Sequence, residues 1–386
     1  MPRSTTLDLI KKLISFDTTS RESNLELIAF IQGYLSDLGV ESLLVHNEEG
    51  TKANLYATIG DQDKAGVMLS GHTDVVPVDG QNWSSDPFEI REDGGKLYGR
   101  GTSDMKGFIA ICLAMVPEFQ AQPLSMPIHL AFSYDEEIGC MGVRRLLDKL
   151  NAMPVRPAMC VVGEPTDMQV ITGHKGKRSY MATIRGLEAH SSLIAEGVNA
   201  VEFAAELVSY LRKLSIEFRT DGPFDELFDV PYTTVHTGVM EGGTALNIVP
   251  KEASVNFEFR HIGIDDPDAI EAKIRSYVTD VLEPMMHEVD PNTGIDIDCY
   301  GELPGLDLHA DDEVVTFFKA LAGRNDHAKV AFGTEAGLFQ KMANIPSVVC
   351  GPGSIVQAHK PDEWITLEQI DKCEKFMERL IEKLTT

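Results

Sequence analysis

The chain has 386 residues, more than a single hydrophobic core usually organises, so two domains are expected, and a hydrophobic fraction of 43% is ample for both. A formal net charge of -26 argues against nucleic acid or an anionic membrane as partner, because either would repel such a surface, whereas a cationic small molecule would be attracted. The six cysteines lie scattered, mostly in apolar company and with no CxxC pair, which fits reduced thiols in a cytoplasmic protein.

Residues 1–15 alternate polar and apolar positions with Lys11 and Lys12 among them, the pattern of an amphipathic helix and not of a secretory leader. Leu25, Ile28, Ile31, Leu35 and Leu38 then recur at helical spacing and stop at Gly39, which predicts a second helix. Residues 54–59 read as a strand. The runs 67–70, 128–133, 159–162 and 348–350 are short and apolar, and helical patterns separate them. They predict an α/β fold with a mostly parallel mixed sheet flanked by helices. The apolar stretch at 108–117 is too short for a bilayer, which takes about 20 residues to cross.

Between about 176 and 302 the rhythm changes to a strand at 178–185, a helix at 197–214, strands near 233–239 and 253–260, a helix from Pro267 and a strand around 295–300. This predicts an inserted α+β domain at 176–302. A first domain would then comprise 1–175 and 303–386, closing with helices at 313–322 and 367–384.

In open parallel sheets ligands gather beyond the carboxyl ends of the strands. His72, Asp135-Glu136-Glu137, Glu164 and His359 all follow short apolar runs, so acids and imidazoles are delivered repeatedly to strand ends. Burying each of these groups alone would be costly, and divalent cations supply the charge that lets carboxylates crowd together. The pattern therefore points to a two-metal hydrolytic site. His72 and Asp74 form a His-x-Asp pair on one side of an extended chain, one able to ligate and the other to accept the second ring N–H. The pair also fits a structural histidine beside a turn. Asp104, in a glycine-rich turn before an apolar helix, could ligate or cap that helix. Adjacent Glu136 and Glu137 repel each other unless a cation or a shared proton holds them, so one is expected to ligate and the other to move protons. By themselves Glu164 fits a turn carboxylate and His359 a surface histidine.

Gly71-His72-Thr73-Asp74-Val75-Val76-Pro77, Gly101-Thr102-Ser103-Asp104-Met105-Lys106-Gly107, Asp135-Glu136-Glu137-Ile138-Gly139, Gly163-Glu164-Pro165-Thr166 and Ala358-His359-Lys360-Pro361-Asp362-Glu363 together resemble the dinuclear zinc amidohydrolases. The similarity covers nearly the whole chain, and it is greatest to the acetylornithine deacetylase members, through Gly333-Thr334-Glu335-Ala336-Gly337 and Cys350-Gly351-Pro352-Gly353-Ser354. The resemblance implies two zinc ions per subunit, with cobalt as a possible substitute. Asp104 would bridge them, His72 and Glu164 would complete one site, and Glu137 and His359 the other. It further implies Glu136 as general base, with Asp74 behind His72, and a cis peptide between Asp104 and Met105. The inserted domain resembles a lid through which two copies pair. His190 within it would steady the oxyanion in the site of the second copy. Asn247 and Arg260 would grip substrate, Arg260 by a fork on the α-carboxylate. Alone, His190 fits a strand-end surface residue and Arg260 a salt bridge on a sheet face. Glu335, flanked by Gly333, would meet a side-chain ammonium or else cap the helix that follows. The implied reaction is hydrolysis of an N-acyl amino acid, N2-acetyl-L-ornithine foremost, in arginine biosynthesis; a succinylated or other acylated amino acid, or a dipeptide, keeps the mechanism and changes the pocket.

Overall fold

In the computed structural model, which describes residues 1–385, the apolar runs of the sequence become the middle of a nine-stranded sheet. Contacts divide the chain into two units, the first made of Met1–His174, Leu306–Lys329 and the chain from Thr334 onward. It opens with the helices α1 (Ser4–Ile14) and α2 (Leu25–Asp37) and the strands β1 (Ser42–His46), β2 (Ala53–Ile59) and β3 (Val67–His72). A small hairpin, β4 (Arg91–Asp93) and β5 (Lys96–Tyr98), leads to α3 (Lys106–Ala114) and α4 (Val116–Gln120). Next come β6 (Ile128–Ser133), α5 (Val143–Ala152), β7 (Met159–Pro165) and β8 (Val170–His174).

The second unit, Lys175–Gly305 with Val330–Gly333, holds β9 (Gly176–Arg185), α6 (Ala200–Asp221), β10 (Thr234–Gly242), β11 (Glu252–His261), α7 (Pro267–Tyr277), α8 (Glu283–His287) and β12 (Gly294–Leu303). The chain then adds β13 (Leu306–Asp307), α9 (Glu313–Ala322), β14 (His327–Val330), α10 (Ala336–Ala343), β15 (Ser347–Gly351), β16 (Trp364–Thr366) and α11 (Leu367–Thr385). The units follow the expected domains 1–175 with 303–386 and 176–302 except that Lys175, residues 303–305 and Val330–Gly333, the last holding Gly333, which the resemblance puts at the substrate, group with the second unit.

The large sheet runs in the order β1-β2-β6-β3-β7-β15-β8-β13, with β14 beside β8. Its four middle strands, β6, β3, β7 and β15, are parallel and are the four apolar runs read from the sequence. The flanks are antiparallel: β2 against β6, and β8 against β15. All six residues of β3 and of β6 are buried, as expected of strands covered on both faces. All nine residues of α3 are buried against neighbours that include α1, α11 and β3, and after Lys106 at its start the helix carries no charged residue on any face.

The second unit has its own core beneath the antiparallel sheet β10-β11-β9-β12. Strand β11 alternates strictly, with Ala253, Val255, Phe257 and Phe259 buried together with Leu207, Leu211 and Ile274 of its helices. Helix α6 starts at Ala200 and not at the expected 197, because Asn199 accepts the N–H groups of Val201 and Glu202 as a cap. It runs on past 214 to Asp221.

Candidate metal centre

The carboxyl ends of β3, β6 and β7 deliver His72, the turn Asp135-Glu136-Glu137 and Glu164 to one place, and the loop before α3 adds Asp104. Ligand atoms of His72, Glu136 and Glu164 lie within 4.8 Å of one another, as do those of His72, Asp104 and Glu137. Asp104 is central to the geometry. Its Oδ1 stands 3.0 Å from His72 Nε2 and its Oδ2 stands 3.3 Å from His359 Nε2. Each imidazole has a second acid, Glu164 Oε1 at 3.7 Å from His72 and Glu137 Oε2 at 3.0 Å from His359. All five expected ligands therefore sit in two sets that share one carboxylate. The Asp104–Met105 peptide is cis. Asp104 does not cap α3, whose N-cap position is Met105.

The electrostatics follow from crowding acids where water is scarce. Burial lifts the Glu136 and Glu164 carboxyls well above the usual carboxylate range, and the charges of neighbouring acids add to the rise. Glu137 is raised for the same reasons, with Asp104 the strongest neighbouring charge. Burial opposes charge on His72, yet Glu164, Asp104 and Asp74 together hold its imidazole well above the ordinary histidine value. Hydrogen bonds with Asp104 and Glu137 raise His359 to about 10. Asp104 itself is pushed down: burial works against its charge, but the two histidines outweigh it. Two imidazoles drawn toward the charged form and three acids raised by burial and by one another form a set that lacks positive charge.

Asp74 departs from its expected contact. His72 Nδ1 is 2.9 Å from the main-chain oxygen of Asp74 and 3.6 Å from its carboxylate, so the peptide carbonyl accepts the ring N–H. The Asp74 carboxylate instead accepts the N–H groups of Glu136 and Glu137 at 3.1 and 3.3 Å and the Ser20 hydroxyl at 2.7 Å. It anchors the acidic turn. Asp135 turns away from that cluster, with a φ of 57°, and pairs with Lys52. The thiol of Cys140 donates to Glu136 Oε1 at 3.3 Å, a contact with no local mark in the chain.

Glu335 is buried at 1% exposure, near enough to the hydroxyls of Ser133 and Ser70 and to the charge of His72 for each to work against the rise that burial imposes on its carboxyl. It does not cap α10, because the hydroxyl of Thr334 accepts the N–H of Ala336. Burial raises its carboxyl to about 7.

The remaining expected residues belong to the second unit. His190 is exposed; its Nδ1 accepts the N–H of Ser192 at 3.2 Å, and the N–H of Ser191 donates to the carbonyl of exposed Asn247 at 3.1 Å. Arg260 Nε donates to Glu258 at 3.0 Å, the sheet-face ion pair that its sequence context also allowed. At Gly333 a Cβ would come within 2.3 Å of Leu303, so the position accepts only glycine without rearrangement.

Acids and imidazoles gathered at the strand ends of a parallel-centred sheet make a donor set that could hold divalent cations. The profile of "Peptidase family M20/M25/M40" matches residues 68–383, and the chain belongs to that family. It is 32% identical over 373 residues to an acetylornithine deacetylase of Pasteurella multocida (strain Pm70), covering 96% of this chain and 94% of that protein. It is 33% identical over 374 residues to an acetylornithine deacetylase of Yersinia pestis, covering 95% and 92%. Among solved structures, a tripeptidase from Staphylococcus aureus superposes with a TM-score of 0.77 at 20% identity, covering 100% of this chain and 99% of that one. An M20 family metallo-carboxypeptidase from Sulfolobus solfataricus gives 0.74 at 19% identity, covering 99% of each. The expected family and fold class therefore stand, and the chain is a hydrolase of this family. Among the described residues, no helix is long and apolar enough to cross a membrane.

Proposed function

We propose that the chain hydrolyses N2-acetyl-L-ornithine to L-ornithine and acetate at a dinuclear zinc centre. The observation that carries the reading is the division of Asp104 between His72 with Glu164 and His359 with Glu137, two mixed imidazole and carboxylate sets joined by one acid. Such donor sets suit catalytic zinc, and cobalt or manganese would also be accepted. The residues fit two divalent cations because three buried acids here, Glu136, Glu137 and Glu164, are raised for want of positive partners. Zinc held there would supply Lewis-acid polarisation of the acyl carbonyl.

Glu136, the acid left over from the two sets, is the general base. It takes a proton from water as the water oxygen bonds to the acyl carbon, and it returns that proton to the amine nitrogen as the C–N bond breaks. Asp74 fixes Glu136 for this task through its main-chain N–H. Arg260 and Asn247 are proposed to meet the substrate's α-carboxylate side, with Arg260 exchanging Glu258 for the substrate. The reading includes a homodimer formed through the second unit, in which His190 serves the other copy's reaction, and it places the enzyme in the cytoplasmic route to arginine. Support for the substrate comes from the relatives named acetylornithine deacetylase.

The test is a panel. Zinc-loaded protein is assayed on N-acetylornithine, N-succinyl-diaminopimelate, N-acetylmethionine and a dipeptide, before and after chelation. The expected result is the highest kcat/KM on N-acetylornithine and loss of turnover with the metal. Preference for another member of the panel moves the assignment to that substrate, and full activity after complete chelation overturns the metal mechanism.

A further inference from the structure

We propose that Glu363, Arg100 and Gln81 form a positioning clasp that sets the Asp104 loop against the His359 loop and so fixes the separation of the two cation sites. The inference rests on the dinuclear reading above. Glu363 and Arg100 form an ion pair at 2.7 Å whose side chains are 0% and 1% exposed. Exposed ion pairs often contribute nothing measurable, whereas a buried one is kept only where further hydrogen bonds satisfy its remaining atoms. Here the further bonds run to the backbone at and just before Asp104 and, through Gln81, to that of His359, with Arg100 Nε left without one.

Glu363 Oε1 accepts the N–H groups of Gly101, Ser103 and Asp104 at 3.1, 2.9 and 3.1 Å. Its Oε2 takes Gly101 at 3.1 Å as well as Arg100. Convergence of these N–H groups on one carboxylate needs the sharp turn at Gly101, whose φ is +86° and whose absent Cβ would meet Val75 at 3.0 Å. The Asp104 peptide is thus held by a charge-assisted bond. Arg100 carries the linkage onward. Its Nη2 donates to Gln81 Oε1 at 2.8 Å, and Gln81 Nε2 donates to the main-chain oxygen of His359 at 3.1 Å. Trp83 Nε1 donates to the same Gln81 oxygen at 3.0 Å, which fixes the orientation of the amide.

The two arms do different things. Glu363 grips the backbone of Asp104, the acid common to both sites, whereas Gln81 bonds the backbone of only one proposed ligand, His359, which serves one site. Loss of Glu363 should disturb both cations, and loss of Gln81 only one. A pair that merely stabilised the fold would show no such division.

The experiment titrates chelated protein with zinc by calorimetry, for the wild type, Glu363→Gln and Gln81→Leu, with far-UV circular dichroism and the thermal midpoint recorded for each. The wild type is expected to take up two ions. In Gln81→Leu one affinity is expected to fall about 10–100-fold, the range typical for residues that orient metal ligands, with the other unchanged; in Glu363→Gln both are expected to fall. If Glu363→Gln does not fold, Gln81→Leu decides the matter by itself. Wild-type affinities at both sites in Gln81→Leu overturn the clasp, and so does an equal fall in both. A wild type that binds fewer than two ions overturns the dinuclear reading, and the clasp with it, which separates that failure from failure of the clasp alone.

Discussion

His129 provides a test of the sheet's interior that is independent of the proposed centre. It lies on β6 at 4% exposure, with Tyr56 Oη at 2.8 Å and Thr58 Oγ1 at 3.0 Å from its Nδ1. Both hydroxyls sit at Nδ1, whereas Nε2 is buried with no hydrogen-bond partner. Protonating the ring would place a charge there with nothing to offset it. Burial accordingly lowers the pKa from 6.5 to about 4. As the folded value is the lower one, the unfolded chain binds the extra proton first as pH falls. Stability is therefore full above about pH 7 and is lost progressively between 6.5 and about 4. The whole shift corresponds to about 3 kcal/mol, of which about 2 kcal/mol has been lost by pH 5. The assay is urea unfolding of wild type and His129→Gln at pH 7.5 and 5, because Gln keeps an acceptor for the hydroxyls and does not titrate. Comparing the two proteins cancels the carboxylates they share. Wild type should lose about 2 kcal/mol more than the variant on acidification. Identical pH dependence in the two proteins would refute a neutral buried imidazole.

Three further outcomes are expected. Glu136→Gln should lower kcat by about 10²–10⁴-fold, the usual contribution of a general base, while zinc stoichiometry measured by elemental analysis stays at the wild-type value. Gly163→Ala should destabilise by about 1–3 kcal/mol in urea melts, since the new methyl group would lie 2.2 Å from the Phe108 ring, inside van der Waals contact. Because Glu335 is buried at 1% exposure, Glu335→Gln should change kcat/KM for N-acetylornithine and N-acetylmethionine by the same factor; selective loss on N-acetylornithine would show that the residue meets the substrate ammonium.

The frame of the fold was legible because burial on both faces leaves a direct mark: β3, β6, β7 and β15 are built on short apolar runs bounded by turns, and they are the strands that run parallel. The ligand positions were legible for a related reason, since a buried run that ends abruptly in His72, Glu136-Glu137 or Glu164 places an ionisable group at the edge of a core. The antiparallel flanks left no such mark. The pairing of β2 with β6 and of β8 with β15 depends on which edge each strand meets, and alternation along one strand cannot encode that.

Side-chain direction was also beyond reach. Asp74 sits two residues from His72, yet its carboxylate belongs to the Glu136 turn, 62 residues away along the chain. Glu335 follows a glycine-flanked turn that looked open, and packing sealed it. Arg100 and Glu363 are 263 residues apart, and nothing local to either names the other. Spacing in the chain therefore determined which residue types arrive at the strand ends and how many. Tertiary structure alone decided which of them share a proton, a loop or a neighbour, because hydrogen bonds and burial depend on distances that only the packed chain sets.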